Sequence, residues 1–283
     1  MTSTQIKYSL TLTLAMWLFL IGSAKPQTFK PHPNVHVAIL GDSNTWLGGD
    51  DCSQDKAWSK WFNDWFAPAS CRSYARSGAC WTNTTSTVVN TIEDIGVLGD
   101  DNVIYNQVMR LIEAHEAGEQ PTPQLILIAA GANDAWFVNK RPMAFAITPQ
   151  QALHHRWSNV TQKLPGQVLT LAESAAYCSL LLHDRFPRTI IVFVSPAHAT
   201  KVKTNLINQV GAILESTGLS LKQHTIRLDL LSPISHATEK KRHTYTYDGI
   251  HTNVQGAKTN GEIIVRSLES FRLVYQPPVP YTN

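Results

Sequence analysis

Four short segments of this 283-residue chain hold residues whose types and placement suit acyl transfer. Ser43 stands in Gly41-Asp42-Ser43-Asn44, directly after an apolar run. Gly78 follows Ser77. Asn133 stands in Gly131-Ala132-Asn133-Asp134 after another apolar run, and Asp248 and His251 lie three apart near the C-terminus. A serine hydroxyl is a weak nucleophile at its free pKa and needs a base within hydrogen-bond reach. His251 suits that role, and Asp248, folded back in a turn, can accept the other ring N–H, fixing the tautomer and steadying the imidazolium. The tetrahedral oxyanion then needs donors. The backbone N–H groups of Ser43 and Gly78 and the side-chain amide of Asn133 are three candidates, and loss of one such donor typically costs about 10²–10³ in rate. Taken singly, Ser43 is an ordinary helix cap and Asp248-Gly249 an ordinary turn. Their joint placement points to catalysis.

Those residues need elements that bring them together. Residues 35–40 (VHVAIL) form a nearly continuous apolar run stopped by Gly41, the pattern of a strand covered on both faces. Further strands are predicted over 70–76, 124–130, 189–195 and, more weakly, 225–230. Between them lie helical patterns over 55–66, 102–117 and 206–216, with another at 257–273. A long helix is predicted from the Thr148-Pro149 cap to about 186, broken near Pro165. Trp58, Trp61, Phe62, Trp65 and Phe66 share one face of the first helix and are expected to be core. Residues 276–283 carry three prolines and suggest an extended tail. Strands alternating with helices predict an α/β fold, a three-layer α/β/α sandwich around a central, mostly parallel five-stranded sheet. In such sheets ligands bind beyond the carboxyl ends of the strands, where the first three segments fall.

The four segments resemble the sequence blocks of the SGNH hydrolases, the GDSL-type lipases and esterases. Ser43, Gly78, Asn133 and His251 match the four letters of the family name in order, Asp248 matches the family's aspartate, and the resemblance spans residues 35–255. It implies a flavodoxin-like SGNH hydrolase fold and a serine esterase working through an acyl-enzyme, without a cofactor. Ser43, Asp248 and His251 would be catalytic, and Ser43, Gly78 and Asn133 would form the oxyanion hole. The sequence departs from the pattern twice. Asn44 replaces the usual leucine, at a position expected to matter little, and the second block is reduced to an isolated glycine. The G-x-S-x-G elbow of the ordinary α/β-hydrolase fold is missing.

Composition narrows the field further. Lys and Arg total 24 against 21 Asp and Glu, and only 16% of residues are charged. That balance excludes a disordered, charge-driven chain and leaves no basic footprint for nucleic acid. Lys7, the apolar stretch 8–21 and Gly22-Ser23-Ala24 read as a signal peptide cleaved after Ala24, with 25–283 as one secreted or periplasmic hydrolase domain. The apolar stretch is short for a membrane anchor, so no stable membrane insertion is expected after cleavage.

Four cysteines allow three complete pairings. Cys178 reads as a buried hydrophobe. Cys52–Cys80 is the favoured pair if a disulfide exists, because both follow the carboxyl ends of neighbouring strands while Cys71 begins the second strand at the opposite edge. No C-x-x-C pair suggests zinc or redox chemistry. His32 and His36 flank Pro33, and His154-His155 are adjacent on a helix, so neither pair suits a metal. Asp50-Asp51 and Asp100-Asp101 lack calcium-loop spacing. Lys240-Lys241-Arg242-His243 reads as a solvated loop.

Trp46, Trp81 and Trp136 each lie three residues after a site residue: Ser43, Gly78 and Asn133. Indole faces suit sugar rings or an acyl chain, so all three are candidates for substrate binding. No long apolar run near the blocks suggests a lipid-docking lid. The expected substrate is a short acyl ester, acetyl above all, on a carbohydrate. The alternatives are a lipase or lysophospholipase and, from another class, a catalytically silent carbohydrate-binding protein on the same fold.

Overall fold

The apolar runs become the strands of one sheet in the computed structural model, which describes residues 29–271. The strands are β1 (His32–Gly41), β2 (Pro68–Ser73), β3 (Leu125–Ala129), β4 (Ile190–Val194) and β5 (His224–Ile226). They lie in the order β2-β1-β3-β4-β5, and every neighbouring pair is parallel. The helices are α1 (Ser43–Trp46), α2 (Trp58–Phe66), α3 (Ile104–Glu116), α4 (Ala132–Trp136), α5 (Pro149–His154), α6 (Leu171–Arg185), α7 (Thr204–Ser220), α8 (Leu228–Leu231), α9 (His236–Arg242) and α10 (Val254–Ser270).

Alternation along the strands builds two cores. Ala38, Leu40, Ile126, Ile128, Ile191 and Phe193 join Leu111 of α3, Leu182 of α6 and Ile213 of α7 in one apolar cluster. Val37, Ile39, Leu125, Leu127, Val192 and Val194 are equally buried and point the other way, as successive strand residues must. On that side α2 packs against α10. Trp58, Phe62 and Phe66 of the aromatic face are buried as expected, whereas Trp61 and Trp65 stay at the rim.

This three-layer α/β/α sandwich fixes where a site can form. The chain leaves β1 for the edge strand β2 and then returns past β1 to β3, so strand order reverses between β1 and β3. The crevice beyond the carboxyl ends at such a reversal is where ligands bind in open α/β sheets. Gly41 pairs with Ala129, so the two strands end level beneath that crevice.

Several sequence expectations need correction. The fifth strand stops at Ile226, because Asp229 accepts from Arg227 Nε and Nη2 (2.8 and 2.6 Å) and from Ser195 Oγ (2.5 Å), which turns 228–231 into a short helix. The long helix from Thr148 ends at His154. Two 3-10 turns, Val160–Gln162 and Pro165–Gln167, then lead to α6. Trp157, buried in that interruption, donates its indole N–H to Ser220 Oγ (2.8 Å). The basic run is the last turn of α9 rather than a loop, where cations meet the negative end of the helix dipole.

Cys52 does not approach Cys80. The loop after α1 runs back along β2, with Ser73 N–H donating to Asp50 O (2.8 Å), and it brings Cys52 Sγ to 3.4 Å from Cys71 Sγ in mid-strand. The expected signal peptide 1–24 and tail 276–283 lie outside the described residues. Among the described residues, no helix is long and apolar enough to cross a membrane.

Candidate active site

Gly41 ends β1 in a space only glycine fits, since a Cβ there would sit 2.6 Å from both Ala129 O and Thr45 Oγ1. Gln107 of α3 grips this residue twice, accepting from Gly41 N–H and donating from Nε2 to Gly41 O, each at 2.8 Å. Asp42 then caps α1 by accepting from Asn44 N–H (3.1 Å). Ser43 therefore sits at the first position of α1. Trp58 braces the turn from below through its indole N–H to Thr45 Oγ1 (3.0 Å).

His251 arrives from the loop before α10. Ser43 Oγ lies 3.0 Å from His251 Nε2, and His251 Nδ1–H donates to Asp248 Oδ2 over 2.7 Å. The turn holds itself in shape, because Asp248 Oδ1 accepts from the backbone N–H groups of Ile250 (2.9 Å) and His251 (2.8 Å). Partial burial raises the Asp248 pKa, but the hydrogen bonds from the His251 ring and from these two N–H groups prevail and hold the carboxyl below its ordinary value. It is therefore ionised where it faces the imidazole. Asp42 behaves oppositely. Burial pushes it up to about 7, against the lowering influence of the Asn44 N–H and His251.

The second and third segments meet across the crevice from His251. Gly78 has φ +80°, and a Cβ would lie 2.1 Å from Val97 O, so the position requires glycine. Asn133 Nδ2 donates to Ala79 O (3.0 Å), which places its amide beside the Gly78 turn and leaves its second amide hydrogen available. Among the described residues, the N–H groups of Ser43 and Gly78 have no hydrogen-bond acceptor within the chain. The predicted residues thus fall into two linked groups, Ser43 with His251 and Asp248, and Asn133 with the Gly78 turn, on the segments that follow β1, β2 and β3 and on the loop before α10.

The tryptophans divide. Trp46 and Trp136 are 43% and 39% exposed beside the crevice, but Trp81 is fully buried. Its indole N–H donates to Ala130 O (3.1 Å), and its ring meets Phe193 edge-on at 5.4 Å. Trp81 is a core residue with no face open to substrate, contrary to the expectation from its spacing. The surface also differs from expectation in apolar character. The strap of residues 84–101 beside Gly78 presents Val88, Val89, Ile92, Val97 and Leu98, each more than half exposed. Divided among Val88-Val89, Ile92 and Val97-Leu98, these side chains form no long run in the sequence. Among the described residues, no three His, Cys, Asp or Glu side chains gather as a metal site.

Comparison with known proteins adds the lineage. A family model of the GDSL-like lipase/acylhydrolases matches residues 37–264, most of the chain. The chain belongs to that family. A GDSL-like lipase/acylhydrolase is a serine hydrolase acting on esters, and that coarse activity applies here. Among solved structures, the chain is similar to a protein from Bacteroides uniformis described as a GDSL-like lipase (TM-score 0.51, 15% identity, 84% of this chain and 96% of that one). It is also similar to one from Bacteroides ovatus with the same description (0.51, 16%, 86% and 100%). A third, described as a lipase, comes from Chitinophaga pinensis (0.51, 12%, 85% and 100%). At these identities the likeness concerns the fold alone. No curated protein matches the chain in sequence.

Four residues of this GDSL-like hydrolase escaped sequence reasoning. Asp134 is fully buried and accepts from Trp81 N–H (2.9 Å), Thr82 N–H (2.9 Å) and Thr82 Oγ1 (2.7 Å), clamping the second segment to the third. Its adjacency to Asn133 was the available signal. Asn44, expected to matter little, accepts from Thr252 N–H (3.1 Å) through Oδ1 and staples the histidine loop to the serine turn. Its departure from the usual leucine was the signal. Tyr247 stacks on His251 with ring centroids 5.6 Å apart. Gln107 left no trace in the sequence, being more than sixty residues from Gly41.

Proposed function

We propose that Ser43 is the nucleophile of an ester hydrolase, with His251 as general base and Asp248 as its orienting carboxylate. The observation that carries the reading is the continuous hydrogen-bonded chain from Ser43 Oγ through His251 to Asp248, at 3.0 and 2.7 Å. In the first half-reaction, His251 Nε2 takes the serine proton while Oγ attacks the ester carbonyl. The oxyanion is met by the Ser43 and Gly78 N–H groups and the Asn133 amide. Collapse of the intermediate expels the alcohol, which takes the proton back from His251 and leaves an acyl-serine. Water, activated by the same imidazole, then releases the carboxylic acid and restores Ser43.

The preferred substrate is a short acyl ester, acetyl above all, on a carbohydrate. Trp46 and Trp136 support this reading, as exposed aromatic faces at the ends of two separate short helices suit sugar rings better than a long chain. The exposed aliphatic strap supports a second reading, a longer-chain acylhydrolase, because apolar surface beside Gly78 can hold an acyl tail. The two are separated by a chain-length series of p-nitrophenyl esters run beside acetylated xylan. Acetate and acetylated glycan as best substrates would uphold the first reading, and rates climbing steadily to laurate would replace it with the second. The chain is further proposed to be exported after cleavage behind Ala24, and N-terminal sequencing of the secreted protein tests this directly.

A further inference from the structure

We propose that Cys52 and Cys71 form a disulfide that ties the serine loop to the strand leading to Gly78. Their sulfurs already lie 3.4 Å apart, between two stretches of hydrogen-bonded backbone. Cys52 is held in the left-handed region at φ 56° and donates its N–H to Gly49 O (3.2 Å). The loop is pinned along β2 on both sides of Asp50, whose carbonyl accepts from Ser73 N–H (2.8 Å) and whose carboxylate accepts from Arg76 Nη1 (2.9 Å). Both cysteines therefore sit on anchored backbone, and small side-chain rotations can bring the sulfurs to the bonding distance of about 2.05 Å. The other two thiols have no such partner. Cys80 Sγ faces Gly78 O (3.9 Å), and Cys178 is buried in α6.

The bond closes a ring that contains all of α2. That ring carries Trp58, which braces the Ser43 turn through Thr45, and ends on β2, whose continuation holds Arg76 N–H on Gly41 O (3.1 Å) and then reaches Gly78. The covalent link thus joins the supports of the nucleophile to those of one oxyanion donor. The oxidant is a small or protein disulfide of the class found in oxidising compartments. The thiolate of Cys71, the more exposed of the two residues, attacks the oxidant's S–S bond and releases one of its sulfurs as a thiol. Cys52 Sγ then attacks the mixed disulfide at Cys71 and expels the second. Two protein thiols lose two electrons, the oxidant's disulfide gains them, and the two protons end on the departing thiols. In the folded protein the adjacent Cys52 sulfur, together with burial, pushes the Cys71 thiol well up.

Trypsin places the four cysteines on four peptides, because Lys56, Arg72, Arg76 and Arg110 lie between them. The full chain, refolded in a mixed oxidised and reduced glutathione buffer, is denatured, alkylated without reduction and mapped. The expected result is a linked pair of peptides bearing Cys52 and Cys71, a loss of two hydrogens, and alkylated Cys80 and Cys178. Reductant should lower Tm by about 5–10 °C in this protein and leave the Cys52→Ala, Cys71→Ala double variant unchanged, as expected for a closed loop of this length. Alkylation of both Cys52 and Cys71 after the oxidising refold, or a link from either to Cys80, overturns the proposal. The peptide map needs only the unaltered protein, so a double variant that folds poorly does not blunt the test.

Discussion

The loops that follow β1 and β2 begin alike and end differently. Each places a tryptophan three residues after a site residue, Trp46 after Ser43 and Trp81 after Gly78, yet Trp46 is exposed beside the crevice while Trp81 is wholly buried. After β1 the chain enters α1, and in a helix residues three apart rise on one face, so Ser43 and Trp46 look the same way. After β2 the chain turns through Gly78 at φ +80° without entering a helix. Asp134 then seizes the N–H groups of Trp81 and Thr82 and draws the indole beneath Ala130. One loop thus carries the proposed nucleophile and an exposed aromatic face. The other offers only a backbone donor, and its tryptophan anchors that donor from within. Equal spacing means equal function only when the backbone between the residues is the same.

The most severe way to break this comparison is to remove the side chain proposed as nucleophile. Ser43→Ala should reduce turnover by about 10⁴–10⁶ while leaving Tm unchanged. A fluorophosphonate probe should label the unaltered protein at Ser43 and the variant nowhere, and ordinary esterase activity in the folded variant would end the serine mechanism. Asp248→Asn comes next, with a loss of up to about 10⁴ in kcat because the imidazole adopts the wrong tautomer. It carries a stability signature as well. The folded-state pKa of Asp248 lies below its unfolded value, so its contribution is present above the ordinary carboxylate range and is lost as pH falls through the depressed value. The Asn variant should lack that acid-side fall in a Tm-versus-pH series.

Asp134→Asn sharpens the contrast from the side of the second loop. It keeps the volume but turns an acceptor pair into one acceptor and one donor facing two N–H groups. A loss of about 10²-fold in kcat with little change in KM is expected, the size of misplacing one oxyanion donor. The Trp81 fluorescence should shift with it, and a KM effect at constant kcat would instead place Asp134 in substrate binding. The tryptophan pair is then read directly. Trp46→Ala or Trp136→Ala should cost about 1–3 kcal/mol on acetylated glycans, judged from the burial of a large side chain, and far less on p-nitrophenyl acetate. Trp81→Phe should lower Tm and spare KM on both, and equal losses for Trp46→Ala on the two substrates would reduce that indole to a loop support.

Asp42 is read in stability rather than in turnover. Its folded pKa, about 7, exceeds the unfolded value, so the native state holds the proton more tightly and stability declines as pH rises between the two. Asp42→Asn should flatten that decline, and an unchanged slope between about pH 4 and 7 would mean the buried carboxyl is not its source.

What the sequence determined by itself is the set of local facts. Uninterrupted apolar runs specified β1, β3 and β4, two of them stopped by glycine, because a strand covered on both faces has no polar side to show. Ser43, Asn133, Asp248 and His251 were legible because the turn or strand end that aims each of them is encoded within a few residues, and the Asp248–His251 hydrogen bonds close over three. Tertiary structure decided everything that depends on distant backbone. Gln107 holds Gly41, Asp134 holds Trp81, Asn44 holds Thr252 and Cys52 meets Cys71, each across a separation that no periodicity reports. Burial decided the rest. Trp81 and Trp46 are the same residue in the same spacing, and only the competition among neighbours for the space above and below the sheet sends one indole inward and leaves the other in solvent.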